Sequence, residues 1–223
     1  MFETCLYVYG IVPAGRLEVD GVQGLDDVPA EGIAVDGLEA VVTRHPPATR
    51  FDATEEALVR HDAVCTAVMR LVPVAPARFG TAFRDEESLR AELANRAGEL
   101  KRILERLEGR VELGLRVFTS ATVERPEGAE SSGTAFLEKR LAERQTAVGL
   151  ATAVDDRLAR LAVARTSSVL ETPGVPLSAS YLVGRESVEE FRAAVAALDG
   201  EHAHVTLICT GPWPPYSFVD GAE

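Results

Sequence analysis

Val111-Glu112-Leu113-Gly114-Leu115-Arg116-Val117-Phe118 alternates apolar residues with polar or small ones, and a period of two marks a strand that buries one face. The segments downstream of this strand decide the fold. Residues 120–132, with Arg125-Pro126-Glu127-Gly128 and Ser131-Ser132, hold the breakers of a surface connection. A helical stretch over 134–164 then carries Phe136, Leu137, Leu141, Val148, Leu158 and Leu161, with Gly149 as its interior weak point. Residues 166–171 and 179–183 read as strands. Residues 187–198 read as a helix opened by a Ser187/Glu190 capping box and closed by Gly200, and 203–209 as a last strand. The order from Val111 is therefore βαββαβ, a ferredoxin-like sandwich with two helices on one face of an antiparallel sheet.

Upstream, Thr4-Cys5-Leu6-Tyr7-Val8-Tyr9-Gly10-Ile11-Val12 is dense in β-branched and aromatic residues and stops at Pro13, which predicts a buried first strand. Gly32-Ile33-Ala34-Val35 and Leu38-Glu39-Ala40-Val41-Val42-Thr43 flank Asp36-Gly37, a two-residue hairpin turn. Asp52, three residues before Glu55, is the expected start of a helix. In it Leu58, His61, Cys65, Val68 and Val72 recur at helical spacing until Pro73. His61 and Cys65 share the inward face, but two ligands do not close a zinc site. A buried histidine bonded to a backbone carbonyl accounts for the same pattern. Pro73-Val74-Ala75-Pro76-Ala77-Arg78-Phe79-Gly80-Thr81-Ala82-Phe83 reads as a rigid elbow. Asp85 then caps a long helix with a stripe of Leu89, Leu93, Ala97, Leu100, Leu104 and Leu107, and Gly109 lies just past its end. The expected architecture is α+β in two domains: residues 1–109 around a small mixed sheet with helices, and 110–210 as the ferredoxin-like sandwich.

Residues 211–223 form a Pro/aromatic tail. Gly211-Pro212-Trp213-Pro214-Pro215-Tyr216-Ser217-Phe218-Val219 holds the sole tryptophan among prolines. Missing N–H groups and fixed φ exclude a helix and a central strand and leave an extended ribbon. So much apolar area must dock, on its own chain or on a partner. The expectation is that Trp213, Pro214, Pro215, Tyr216 and Phe218 fold back over the junction of the two domains as a staple, with a docking strip for a partner as the other reading.

A net charge of -12, with 23 Lys and Arg against 35 Asp and Glu, argues against nucleic acid or an anionic membrane as partner, since binding phosphates needs clustered cations. Cys5, Cys65 and Cys209 lie far apart among apolar residues, which points to reduced core thiols and a cytoplasmic setting. No signal peptide or membrane-spanning run is expected. The chain has no GxSxG, P-loop, GxGxxG, HExxH or CxxC. His202 and His204 alternate near the last strand but supply only two ligands. Glu189-Glu190 diverge around a helix. No catalytic, cofactor-binding or metal-binding residue is therefore assigned.

Five pieces of the chain together resemble the GvpL/GvpF family of gas vesicle proteins. They are Leu6-Tyr7-Val8-Tyr9-Gly10-Ile11-Val12; His61 followed by Pro73 to Thr81 with Arg78-Phe79-Gly80; Glu108-Gly109-Arg110-Val111-Glu112-Leu113-Gly114; Tyr181-Leu182-Val183; and Gly211 to Phe218. The resemblance is collinear over nearly the whole chain and departs from the family pattern at Ala75 and Ala77, where only packing is at stake. It implies a non-enzymatic accessory or minor structural protein, without cofactor, whose partners are the hydrophobic shell protein GvpA and other vesicle proteins, working in the cytoplasm at the gas vesicle. The reading from a different class is a ferredoxin-like small-ligand-binding domain or enzyme with the aromatic tail as a lid.

Overall fold

Cys5–Pro13 (β1) is buried at every position from Cys5 to Val12, because its side chains are apolar or aromatic on both faces and neighbours cover both. The computed structural model describes residues 4–16, 21–119, 133–169, 174–202 and 205–219. Around β1 the first sheet runs Glu31–Val35 (β2), Leu38–His45 (β3), β1, then Ala75–Pro76 (β4), with Ala82–Phe83 (β5) also pairing β1. Each of these pairings is antiparallel. The β2–β3 hairpin turns on Asp36 and Gly37, both at positive φ (51° and 81°), the conformation that an Asp-Gly turn of the primed type requires. Between Val8 and Gly10 the β1–β3 register slips by one residue. A Cβ on Gly10 would sit 2.8 Å from Val74 Cγ2 and 3.0 Å from the Ala75 carbonyl oxygen. Glycine is what lets β4 approach so closely.

Glu55–Leu71 (α1) and Glu86–Leu107 (α2) cover the two faces of this sheet. Tyr7 and Tyr9 meet α1 through His61 and Cys65, while Val8, on the other face, lines a groove with Leu89 and Leu93 of α2. Asp85 caps α2 as expected, its Oδ1 accepting from the Ser88 N–H at 2.7 Å. The cap of α1 differs from expectation. Thr54, extended at φ -75° and ψ 156°, accepts from the Ala57 N–H at 3.2 Å, and Asp52 lies outside the helix. Leu58, expected inward, is 43% exposed, so the buried stripe starts at His61 and continues through Val64, Cys65, Val68 and Met69. The elbow after Pro73 is a pair of short edge ladders on β1.

The second sheet has the order Ala164–Val169 (β7), Leu177–Gly184 (β8), Arg110–Thr119 (β6), Val205–Trp213 (β9). With Gly133–Leu158 (α3) between β6 and β7 and Val188–Glu201 (α4) between β8 and β9, this is the ferredoxin-like order that a βαββαβ chain takes. The expected helix over 134–164 ends earlier, at Leu158, with a 3₁₀ turn Ala159–Leu161. The Val163 N–H bonds to the Leu182 carbonyl at 2.8 Å, so the sheet ladder captures the chain there. Along α3, Ala151, Val154 and Leu158 are buried whereas Leu141 is 57% exposed. The Ser187/Glu190 box does not form: Ser187 sits at φ -97° and ψ 3° in a 3₁₀ turn and its side chain makes no cap bond. An N-cap needs extended backbone at that position. Gly200 stays within α4, which runs one residue further to Glu201, where Arg157 holds the carboxylate at 2.6 Å.

The last strand does not stop at Cys209. β9 continues through Pro212 to Trp213, and it can do so because it is an edge strand, where a missing N–H costs no ladder bond. The Gly211–Pro212 peptide is cis. The chain forms two compact units, Glu112–Pro212 and, on either side of it in sequence, Met1–Val111 with Trp213–Glu223. The expected loop 120–132, the end of the strand expected over 166–171, and His204 lie outside the described residues.

The corrected cap is directly testable. Thr54→Ala is expected to cost about 1 kcal/mol of unfolding free energy and Asp52→Ala close to nothing, read by urea denaturation; the reverse order would restore Asp52 as the cap.

Candidate functional site

Tyr7 and Tyr9, two apart on β1, point to the same face, and their polar tips set up a buried network under α1. The Tyr7 hydroxyl lies 2.8 Å from His61 Nδ1, and it accepts from the Gly80 N–H at 3.2 Å. His61 Nε2 faces the Ala77 carbonyl oxygen at 3.0 Å. A carbonyl only accepts, so Nε2 carries the proton, Nδ1 is the acceptor, and Tyr7 donates to it. One neutral tautomer satisfies all three groups. The Cys65 thiol donates to the Tyr9 carbonyl at 3.2 Å. The Tyr9 hydroxyl accepts from the Leu25 N–H at 2.7 Å and lies 3.3 Å from Thr43 Oγ1, which in turn meets His45 Nε2 at 2.8 Å.

Rings fill the remaining space. The His61 ring stacks on Tyr9, with centroids 5.4 Å apart, and meets the edges of Tyr7 and Phe79 at 5.6 and 5.8 Å. Phe51 packs on Tyr7 and His45. The closing ribbon completes the cluster: Tyr216 lies against His61 at 6.2 Å, Pro214 and Pro215 are buried, and Phe218 is 2% exposed. A guanidinium N–H of Arg106 donates to the Phe218 carbonyl. Trp213 departs from its neighbours and is 42% exposed. The Tyr216 hydroxyl is buried near the Cys65 thiol and the Asp62 carboxyl without reaching hydrogen-bond geometry to either.

Burial sets the charge states. It lowers the His61 pKa against the opposing pull of the Ala77 carbonyl, and it lowers that of His45 against nearby Asp26. It pushes the Cys65 thiol up to about 12 and raises Tyr7, Tyr9 and Tyr216 as well. An activated Cys–His pair needs a thiolate beside an imidazolium. This environment stabilises the opposite forms, a neutral thiol and a neutral imidazole.

The structure brings His61, Phe79 and Gly80 together with Tyr216. Arg78 turns away: it is exposed and lines a groove of about 280 Å3 on the α2 side, with Val8, Leu89, Leu93 and Val219. Sequence reasoning missed Tyr7, Tyr9, Thr43 and His45 as members. The i, i+2 spacing of the two tyrosines was the available signal. Cys5 and Cys65 are buried free thiols, and Cys209 is a half-buried one. Among the described residues no three His, Cys, Asp or Glu side chains gather as a metal site, and no helix is long and apolar enough to cross a membrane.

An α+β chain with this pair of sheets and a ribbon strapped over an aromatic hub matches a known family. The family model described as gas vesicle synthesis protein GvpL/GvpF covers residues 5–220. Gas vesicle protein F2 of Halobacterium salinarum is 32% identical, over 100% of this chain and 97% of its own. Gas vesicle protein L of a Streptomyces species is also 32% identical, over 97% of this chain and 93% of its own. The crystal structure of GvpF from Anabaena superposes with a TM-score of 0.83 at 20% identity, covering 99% of this chain and 98% of that one. GvpF from Microcystis aeruginosa gives 0.78 at 21% identity, covering 97% and 99%. The chain belongs to the GvpL/GvpF family of gas vesicle proteins.

The hub generates two expected outcomes. Unfolded, His61 and His45 take up protons near pH 6.5; folded, each does so only at lower pH. Acidification through 6.5 therefore favours the unfolded chain, by up to about 1.4 kcal/mol per pH unit for each histidine. Urea unfolding between about pH 7.5 and 5.5 should show this slope, which a double His45→Gln, His61→Gln variant flattens; a flat wild-type profile would contradict it. Tyr216→Phe removes a buried hydroxyl that has no hydrogen-bond partner among the described residues and should be neutral or stabilising, whereas Tyr7→Phe strands His61 Nδ1 and the Gly80 N–H and should cost about 1–3 kcal/mol.

Proposed function

We propose that the protein is a non-enzymatic accessory or minor structural component of gas vesicles that binds the hydrophobic shell protein GvpA, and other vesicle proteins, during assembly in the cytoplasm. The observation that carries this reading is the family match over residues 5–220. The hub supports it from the chemical side, since its histidine and thiol are held neutral and hydrogen-bonded rather than poised for transfer. A shell subunit with an exposed apolar face needs a partner that keeps it soluble, and a carrier of net charge -12 supplies that solubility.

The ribbon fits a segment packed back on its own unit better than a lid. The chain leaves the first unit after Val111 and returns to it at Trp213, and Pro214, Pro215 and Phe218 are buried where it returns. Burial of Phe218 alone stabilises by about 1.5–3 kcal/mol.

Co-expression with the shell protein tests the reading. The wild type should hold the shell protein in the soluble fraction and co-purify with it; a shell protein equally insoluble with and without this chain would overturn the proposal. Truncation after Pro212 should lower the melting temperature. If it instead leaves folding intact and abolishes co-purification, the ribbon is a docking strip.

A further inference from the structure

We propose that the helix-free face of the second sheet binds a small phosphorylated molecule with a planar ring, a nucleotide in chemical class, using Arg116 and a lattice of strand hydroxyls for the phosphate and Phe118 for the ring. On β8, Tyr181 donates to Asp155 of α3 at 2.6 Å and packs its ring on Phe191 of α4 at 5.0 Å, which fixes the helix-covered face. Ser178 and Ser180, alternating with Leu177, Ala179 and Tyr181, therefore point to the opposite face. The β7–β8 register sets Thr166 across from Ser180 and Ser168 across from Ser178. On β6, Leu113, Leu115 and Val117 are buried, and Arg116 and Phe118 alternate with them.

Five hydroxyl-bearing residues, Ser167 among them, line one concavity of about 470 Å3 with the guanidinium and the phenyl ring, within the size range of small-molecule sites. Directly paired side chains stand about 5 Å apart across strands, a spacing at which two donors can bracket one phosphate at ordinary hydrogen-bond length. Among the described residues no ion pair or hydrogen bond holds Arg116, whereas Arg165, on β7, is neutralised by Asp155 and Asp156. A guanidinium that no described carboxylate neutralises, set among hydroxyls, selects a tetrahedral oxyanion with several acceptors. The half-exposed Phe118 ring, two residues along on the same face, offers a stacking surface beside it. A nucleic-acid strand does not fit, because one arginine in a protein of net charge -12 cannot track a phosphate backbone. The chemistry of this pocket does not rest on shell-protein binding, so either reading can fail alone.

The test is a titration of the nitrogen-15-labelled full chain with adenosine 5′-monophosphate, inorganic phosphate and adenosine, followed by amide NMR. The monophosphate should give saturable shifts confined to the strand positions around 116–118, 166–168 and 178–180, with phosphate binding more weakly at the Arg116 end. Arg116→Gln, a surface change, should weaken the monophosphate by about tenfold or more. Phe118→Leu should weaken the monophosphate and spare phosphate. Absence of saturable shifts at these strands up to about 10 mM of the monophosphate, with the wild-type spectrum dispersed, would overturn the proposal. So would equal affinity in wild type and Arg116→Gln.

Discussion

The hydrogen bond from the Tyr7 hydroxyl to His61 Nδ1, 2.8 Å long and fully buried, is the contact on which the first unit depends. His61 must present an acceptor to Tyr7 and a donor to the Ala77 carbonyl, so a single neutral tautomer ties β1, α1 and the elbow together. The Gly80 N–H closes the elbow onto the same hydroxyl, and the ring faces give Tyr216 its seat. Polar groups in this core stabilise by direction as well as by area: any slip of α1 along β1 leaves a buried donor or acceptor unpaired.

The same hub seats the closing ribbon. Its prolines restrict the unfolded chain and its aromatic residues supply burial, and Arg106 ties down the Phe218 carbonyl. Of its aromatic residues Trp213 is the exposed one, at the end of an edge strand. The second unit solves a different problem. Its helices bury one sheet face around Leu113, Leu115, Tyr181 and Phe191, while hydroxyls and Arg116 populate the other.

Where local chemistry decides, the sequence is legible. Asp36-Gly37 can serve one turn, Asp85 caps α2, and the strand-helix order from β6 onward defines the sheet order. His61 bonded to a backbone carbonyl was also foreseeable, since a buried imidazole needs a partner. Where two residues offer the same chemistry the choice is tertiary: Asp52 and Thr54 are both good caps, and the chain selects the one whose backbone is extended directly ahead of Glu55. The end of α3 is set by the Val163 bond to Leu182 of β8, a long-range contact that no local pattern contains. Pro212 reads as a strand breaker until the sheet order puts β9 at an edge. The partners of Tyr7 and Tyr9 stayed hidden for the same reason: period two puts both rings on one face but does not say which helix receives them.

The central claim is that His61 is a neutral, fully bonded structural residue. Long-range proton–nitrogen NMR spectra of histidine-labelled protein at about pH 7.5, with His61 assigned by comparison with a His61→Gln variant, test it directly. The account predicts one fixed tautomer, protonated at Nε2 and bare at Nδ1. A signal averaged between tautomers, a proton on Nδ1, or an imidazolium at that pH would contradict it.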